Sequence, residues 1–304
     1  MHDNALPPSA ADAVASDTLP LLAPWWHTAA FLLLLATWAA ISSTRTRTFT
    51  HTPHPITYIS QVMMTWMLLS TVLAGIFHRK CFFFATLRHN ARSLRTEIAL
   101  GAAIYVGFYA CVIAVVSVFA LSTTAFRAIH PASTPPAQDI TQPAFGPPPP
   151  RATTPLPPPA PVSPAPLHPL RSSRFQFNSK TVRALAPSSL TDLILWIGVS
   201  ITAAFCEEHI FRGYLLTQAR TLLRGAGAST LLTDAIAVVS TSLIFGGLHM
   251  YEGFGGACLI ACLGALYAVC ALKLGNLRAV IAAHFLQDIL AGVFFYIAHA
   301  RAAH

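Results

Sequence analysis

Apolar residues fall along this chain in long blocks separated by short polar gaps. Three blocks, 24–42, 56–77 and 98–121, precede the middle of the chain. Four more follow it, at 190–205, 231–249, 255–272 and 279–297. A helix needs roughly 20 mostly apolar residues to cross a bilayer, and each block approaches or exceeds that length. The pattern predicts an all-α fold, a polytopic transmembrane helical bundle of about seven spans. Trp25, Trp26 and Trp38 lie near the ends of the first block, where interfacial aromatics collect. After residue 205 the fourth block leads into a polar helical stretch ending near Arg224. Its amphipathic part, 214–223, with Arg220 and Arg224 beside it, is expected at the membrane interface.

The gaps differ in character. The loop 78–95 holds Arg79, Lys80, Arg88, Arg92 and Arg95, so the positive-inside rule places it in the cytoplasm and the N-terminus with it. Between 131 and 169 the chain is dominated by proline with Ala, Ser and Thr. Proline has no backbone donor and breaks helices, so this stretch predicts an extended linker that cannot form a core. A solvated spacer and a docking site for a partner both fit it. The organisation that follows is an N-terminal tail (1–23), three transmembrane helices (24–126), a Pro-rich linker (127–188) and a second membrane domain (189–304).

Composition strengthens this picture. Of 304 residues 54% are hydrophobic and 10% charged, against about 25% charged in soluble domains. The net charge of +8 points to anionic lipid rather than nucleic acid, because the basic residues sit between apolar runs and are not interleaved with aromatics. The six cysteines show no CxxC spacing. Most lie within apolar segments, where cysteine packs as a small hydrophobe. Cys258 and Cys262 are one helical turn apart but lack a nearby third metal ligand. The residues before the first block are acidic, with Asp3, Asp12 and Asp17, and lack the basic region of a signal peptide, so the first block is read as a retained span. A multi-pass protein of a bacterial inner (plasma) membrane is expected.

Charged groups within spans are costly, about 2.5 kcal/mol or more each near a helix centre, so the few present are informative. Glu207 and Glu208 continue directly from an apolar helix. Glu208 and Arg212 are i,i+4 neighbours in the favourable order for an ion pair, while Glu207 points about 100° away. Two adjacent carboxylates in a low dielectric do not both ionise cheaply unless a cation is near. One of them is thereby suited to general acid–base work. A helix ending in water is the competing reading. His249 shares a face with Phe245 across Gly246 and Gly247, glycines that permit close approach of a helix or a substrate backbone. His284 and Asp288 share a face in an otherwise apolar segment, where the acid either orients the imidazole or neutralises it at a helix contact.

In this order the motifs Glu-Glu-x-x-x-Arg, Phe-x-x-x-His and His-x-x-x-Asp resemble the signature of the CAAX-protease and bacteriocin-processing family, which includes the type II CAAX prenyl endopeptidases. The resemblance covers roughly 190–297 and leaves the first three helices outside it. It implies an intramembrane endopeptidase acting on a membrane-associated protein or peptide. Glu207 would be the base that activates water, helped by His249, and Arg212 would hold Glu208 and shape the site. His284, with Asp288, would stabilise the oxyanion. Asp288 stands where the prenyl endopeptidases commonly have Asn, so a role needing a side-chain N–H donor requires a protonated carboxyl. No cofactor is required on this reading. A zinc enzyme is the alternative, since two His and a carboxylate make a catalytic zinc set, although His-Glu-x-x-His is absent. A non-catalytic scaffold or immunity protein and a proton-carrying transporter are the other rivals. Span counting adds a difficulty, because it puts Glu207 and His284 near one membrane face and His249 near the other.

Overall fold

The computed structural model describes residues 21–49, 54–78, 90, 92–129 and 185–302. The N-terminal tail, most of the basic loop and the Pro-rich stretch lie outside the described residues. Every regular element among the described residues is helical: α1 (Trp25–Phe49), α2 (His54–His78), α3 (Leu94–Ile129), α4 (Leu190–Glu208), a π-helical segment (His209–Leu215), α5 (Leu216–Gly225), α6 (Thr230–Leu248), a 3₁₀ turn (Met250–Glu252), α7 (Phe254–Leu274) and α8 (Arg278–Ala302). Six helical stretches are long and apolar enough to cross a membrane, and Trp25–Ile41 is a shorter apolar helix. The protein is thus a multi-pass helical membrane bundle. The chain divides into two units. One comprises Met1–Tyr109 with Ser173–His304, the other Ala110–Ser172. In the second unit the described part of α3 exposes Val115, Phe119 and Leu121, as a lipid-facing helix does.

The fourth apolar block departs from its expected course. Its helix does not end at the Glu pair: α4, the π segment and α5 form one continuous stretch, Leu190–Gly225, of 36 residues. The segment expected at the interface is buried on its polar side. Gln218 is fully enclosed. Its Oε1 accepts from the backbone N–H of Leu22 (2.8 Å), and its Nε2 donates to the Ala23 carbonyl (2.9 Å) and to Thr28 Oγ1 (2.8 Å). Arg220 pairs through Nε with Asp234 Oδ1 on α6 at 2.6 Å. In a bilayer lipid tails are as apolar as leucine, so helices associate through packing and such polar contacts rather than by escaping water. A second polar lock joins α1, α2 and the π segment. His27 Nε2 donates to the Thr71 carbonyl (3.0 Å), which leaves Nδ1 to accept from the Tyr214 hydroxyl (2.9 Å).

The start of α4 is fixed by sequence-local chemistry. Ser189 and Asp192 form a capping box, which satisfies two of the otherwise orphaned N–H groups of the first turn. Asp192 Oδ2 also accepts from Ser188 Oγ (2.8 Å) and meets His54 Nδ1 (3.0 Å), tying α4 to the start of α2. On the opposite flank, Trp196 Nε1 donates to the Asp288 carbonyl on α8 at 2.8 Å. Gly292 leaves room for that indole. The two helices that carry the Glu pair and the His284–Asp288 motif are therefore locked side by side.

Gly246 and Gly247 have different jobs. A Cβ on Gly246 would lie 2.5 Å from the Ala257 carbonyl oxygen and 2.7 Å from Ala261 Cβ, whereas one on Gly247 would meet nothing within 4 Å. Gly246 is what lets α6 pack tightly on α7, three residues before His249. The chain then turns through the 3₁₀ segment at Gly253, whose φ of 88° is open to glycine at little cost. We expect Gly246→Ala to destabilise the protein by about 1–3 kcal/mol, the usual cost of overpacking, read as a lower melting temperature in detergent. Gly247→Ala should leave it unchanged.

Candidate active site

The Glu pair lies about midway along the 36-residue stretch Leu190–Gly225, immediately before the π-helical turn. Single π turns inside α-helices widen the helix locally and occur mostly at functional sites. The two carboxylates face different surroundings. Glu208 is fully buried. Its Oε1 accepts from Arg212 Nη1 (3.0 Å), the i,i+4 pair that the spacing predicts, and from His284 Nδ1 (2.8 Å). Arg212 Nη2 donates to the Gly264 carbonyl on α7 (3.1 Å). The guanidinium lies 4.5 Å from the Phe245 ring centroid, a distance at which the ring's quadrupole attracts a cation. Gly264 makes this possible, since a Cβ there would sit 3.2 Å from Arg212 Nη2.

Glu207 is directed elsewhere, into a cavity of about 320 Å³ that His249, Tyr251, Glu252, His284 and Asp288 also line. A smaller, mostly apolar cavity of about 160 Å³ lies against α1 and α2, with Leu35, Trp38 and Met64 in its wall. Glu207 and His249 line both cavities, so they stand where the two meet. The separation of His249 from Glu207 and His284 suggested by span counting is therefore corrected. The helix bearing Glu207 continues far beyond it, and α6 ends at His249 with the chain turning back into the protein, so all three side chains reach one space.

The hydrogen bonds assign the two imidazoles different roles. His249 Nδ1 donates to the Phe245 carbonyl one turn back, at 2.9 Å. In the neutral ring Nε2 is then an acceptor facing the cavity. Burial pushes the His249 pKa below its usual value, which favours that neutral form. His284 donates from Nδ1 to Glu208, and its Nε2 lies 3.9 Å from Glu207 Oε2 and 3.6 Å from Asp288 Oδ2. One imidazole thus presents an acceptor to the cavity, and the other is held among three carboxylates.

Sequence reasoning passed over part of the wall. Tyr251 and Glu252 fall in the short break between two apolar blocks, where polar residues read as loop. Burial pushes the Glu252 carboxyl up from its ordinary value, and the Tyr251 hydroxyl hydrogen-bonds to it. Tyr267 lies beside the His284 ring, centroid to centroid 6.1 Å. Only the acid at Glu252, isolated between two spans, offered a sequence signal. Among the described residues, no three His, Cys, Asp or Glu side chains are grouped so as to hold a metal ion.

The fold and this cavity define a multi-pass membrane protein with an acid–histidine site enclosed between its helices. Residues 189–300 match the family model described as Type II CAAX prenyl endopeptidase Rce1-like. The match begins at the Ser189 cap of α4 and ends within α8, so it contains every residue of the three motifs. No curated protein and no solved structure matches the chain significantly.

Proposed function

We propose that the protein is an intramembrane endopeptidase in which Glu207 activates water. The observation that carries this reading is the division of labour within the Glu pair. Glu208 is occupied by Arg212 and His284, whereas Glu207 faces the junction of two cavities opposite the acceptor nitrogen of His249. A water between Glu207 and His249 gives a proton to Glu207, and its oxygen attacks the scissile carbonyl carbon. The oxyanion accepts a hydrogen bond from Nε2–H of His284, steadied by Asp288. Preorganised donors aimed at developing charge are often the largest catalytic term. Glu207 then passes its proton to the leaving nitrogen and the C–N bond breaks, giving a carboxylic acid and an amine, and the acid then releases its proton to become the carboxylate.

Glu208 and Arg212 position the site rather than react. The cavity against α1 and α2 suits an apolar stretch of a membrane-associated protein or peptide. We place the enzyme in a bacterial inner membrane and infer that it needs no metal.

The test uses purified protein in proteoliposomes with a panel of quenched membrane-peptide substrates, with and without a strong chelator. Cleavage that the chelator leaves untouched is expected. Loss of activity that zinc restores would overturn the metal-independent mechanism. No cleavage of any substrate, with Glu207→Ala still complementing a deletion in cells, would replace the enzyme with a scaffold.

A further inference from the structure

On the other side of α4 from Glu207 a second cleft, of about 630 Å³, opens between α3, α4 and α8. Its walls are apolar: Ile98, Ile201, Phe205, Ile281 and Phe285. Ile98 and Ile201 are each 54% exposed, so the cleft faces the bilayer. It is closed at one end, where a Cβ on Gly101 would lie 2.7 Å from the Ala279 carbonyl and from Ala282 Cβ.

Two charged groups line this otherwise apolar space, Glu97 and Arg278. Glu97 is 1% exposed. Its Oε1 accepts from the backbone N–H of Arg92 (3.0 Å) and from Asn276 Nδ2 (3.2 Å). Its Oε2 is buried with no hydrogen-bond partner. Such an atom in a folded protein calls for an explanation, and an absent ligand is one. Arg278 is held by the same asparagine, its backbone N–H donating to Asn276 Oδ1 at 3.0 Å. Among the described residues its guanidinium has no carboxylate within 4.0 Å, Glu97 included. Asn276 thus ties the Glu97 carboxylate to the backbone of Arg278, and the two charged groups line one apolar cleft without pairing.

We propose that this cleft binds one zwitterionic aminophospholipid, its ammonium on Glu97 Oε2, its phosphate on Arg278 and its acyl chain along the isoleucine and phenylalanine wall. The charge pair selects the headgroup. A purely anionic lipid would satisfy Arg278 and be repelled by Glu97. A quaternary ammonium has no N–H to give the orphaned oxygen, whereas a primary ammonium has three. Arginine suits the phosphate because its planar fork matches phosphate oxygens. The site shares α4 and α8 with the catalytic cavity, and Phe285 comes from within the His284–Asp288 motif, but Glu207, Glu208, Arg212, His249, His284 and Asp288 do not line it, so it stands apart from the proposed reaction.

The test is native mass spectrometry of the full protein released from nanodiscs of equimolar phosphatidylethanolamine, phosphatidylcholine and phosphatidylglycerol. One retained phosphatidylethanolamine is expected, favoured over either other lipid by about tenfold, the value of one charged hydrogen bond. Glu97→Gln should abolish the preference, Arg278→Gln should lower retention of all three lipids because they share the phosphate it holds, and Ile98→Trp, which fills the cleft, should abolish retention of all three. The wild-type preference is read without any variant, so a misfolded mutant does not decide the matter. Equal retention of the three lipids, a preference for phosphatidylglycerol, or wild-type retention by a folded Arg278→Gln protein would overturn the proposal.

Discussion

Arg212→Leu should lower the stability of the protein by about 3–5 kcal/mol, the cost of leaving one member of a buried ion pair without its partner. Both side chains are nearly inaccessible, 2% for Arg212 and 0% for Glu208, so water cannot take over the lost interaction. The substitution also strands the Gly264 carbonyl, which accepts from Nη2 at 3.1 Å, and removes a cation from the face of Phe245. Thermal unfolding in detergent gives the measurement. A double variant, Glu208→Gln with Arg212→Leu, distinguishes an orphaned charge from lost packing. Gln keeps an oxygen for the His284 Nδ1–H but carries no charge, so the double variant should be clearly more stable than Arg212→Leu alone. A double variant destabilised by the sum of the two single effects would show that the charge is not the cause.

The spans were legible because a bilayer leaves a chain few options: backbone groups in hydrocarbon must bond within a helix, and the side chains facing lipid must be apolar. That constraint wrote the blocks into the sequence. It does not reveal where a polar stretch is buried by neighbouring helices. The run Glu207-Glu208-His209-x-x-Arg212 reads equally well as a helix leaving the membrane. Only the distant carbonyl of Gly264 and the imidazole of His284, 52 and 76 residues further on, make it an interior segment. The π turn that follows leaves no propensity signal.

The ion pair between Glu208 and Arg212 was readable from spacing, because i,i+4 geometry is local. The choice between Gly246 and Gly247 was not, since adjacent residues differ only in which neighbour they meet. Glu97 shows the same limit. It sits just after Arg92 and Arg95, where a solvated surface pair is the simplest reading, and its burial depends on Asn276 from the far end of the chain. The family resemblance rested on three short motifs in order. It located the domain that the family comparison matches, while Tyr251, Glu252 and Tyr267 remained outside those motifs and were found only through the shape of the cavity.

Glu207→Gln should reduce the cleavage rate by about 10²–10⁴-fold, the usual contribution of a positioned general base. The amide keeps the size of the carboxylate and its place at the junction of the two cavities, but it does not accept a proton from water. Glu208 cannot stand in, because it is fully buried and does not line the cavity, with its Oε1 shared between Arg212 and His284. Melting temperature should stay near that of wild type, since the substitution removes a negative charge from beside another. The decisive measurement is therefore a side-by-side assay of wild type and Glu207→Gln in the same proteoliposomes, at matched protein and with unfolding curves recorded for both. Peptide products are identified by mass. Our account predicts two products with the mass of one water added for wild type, and almost none for a Glu207→Gln protein that melts normally. Cleavage by the folded variant at the wild-type rate would contradict it.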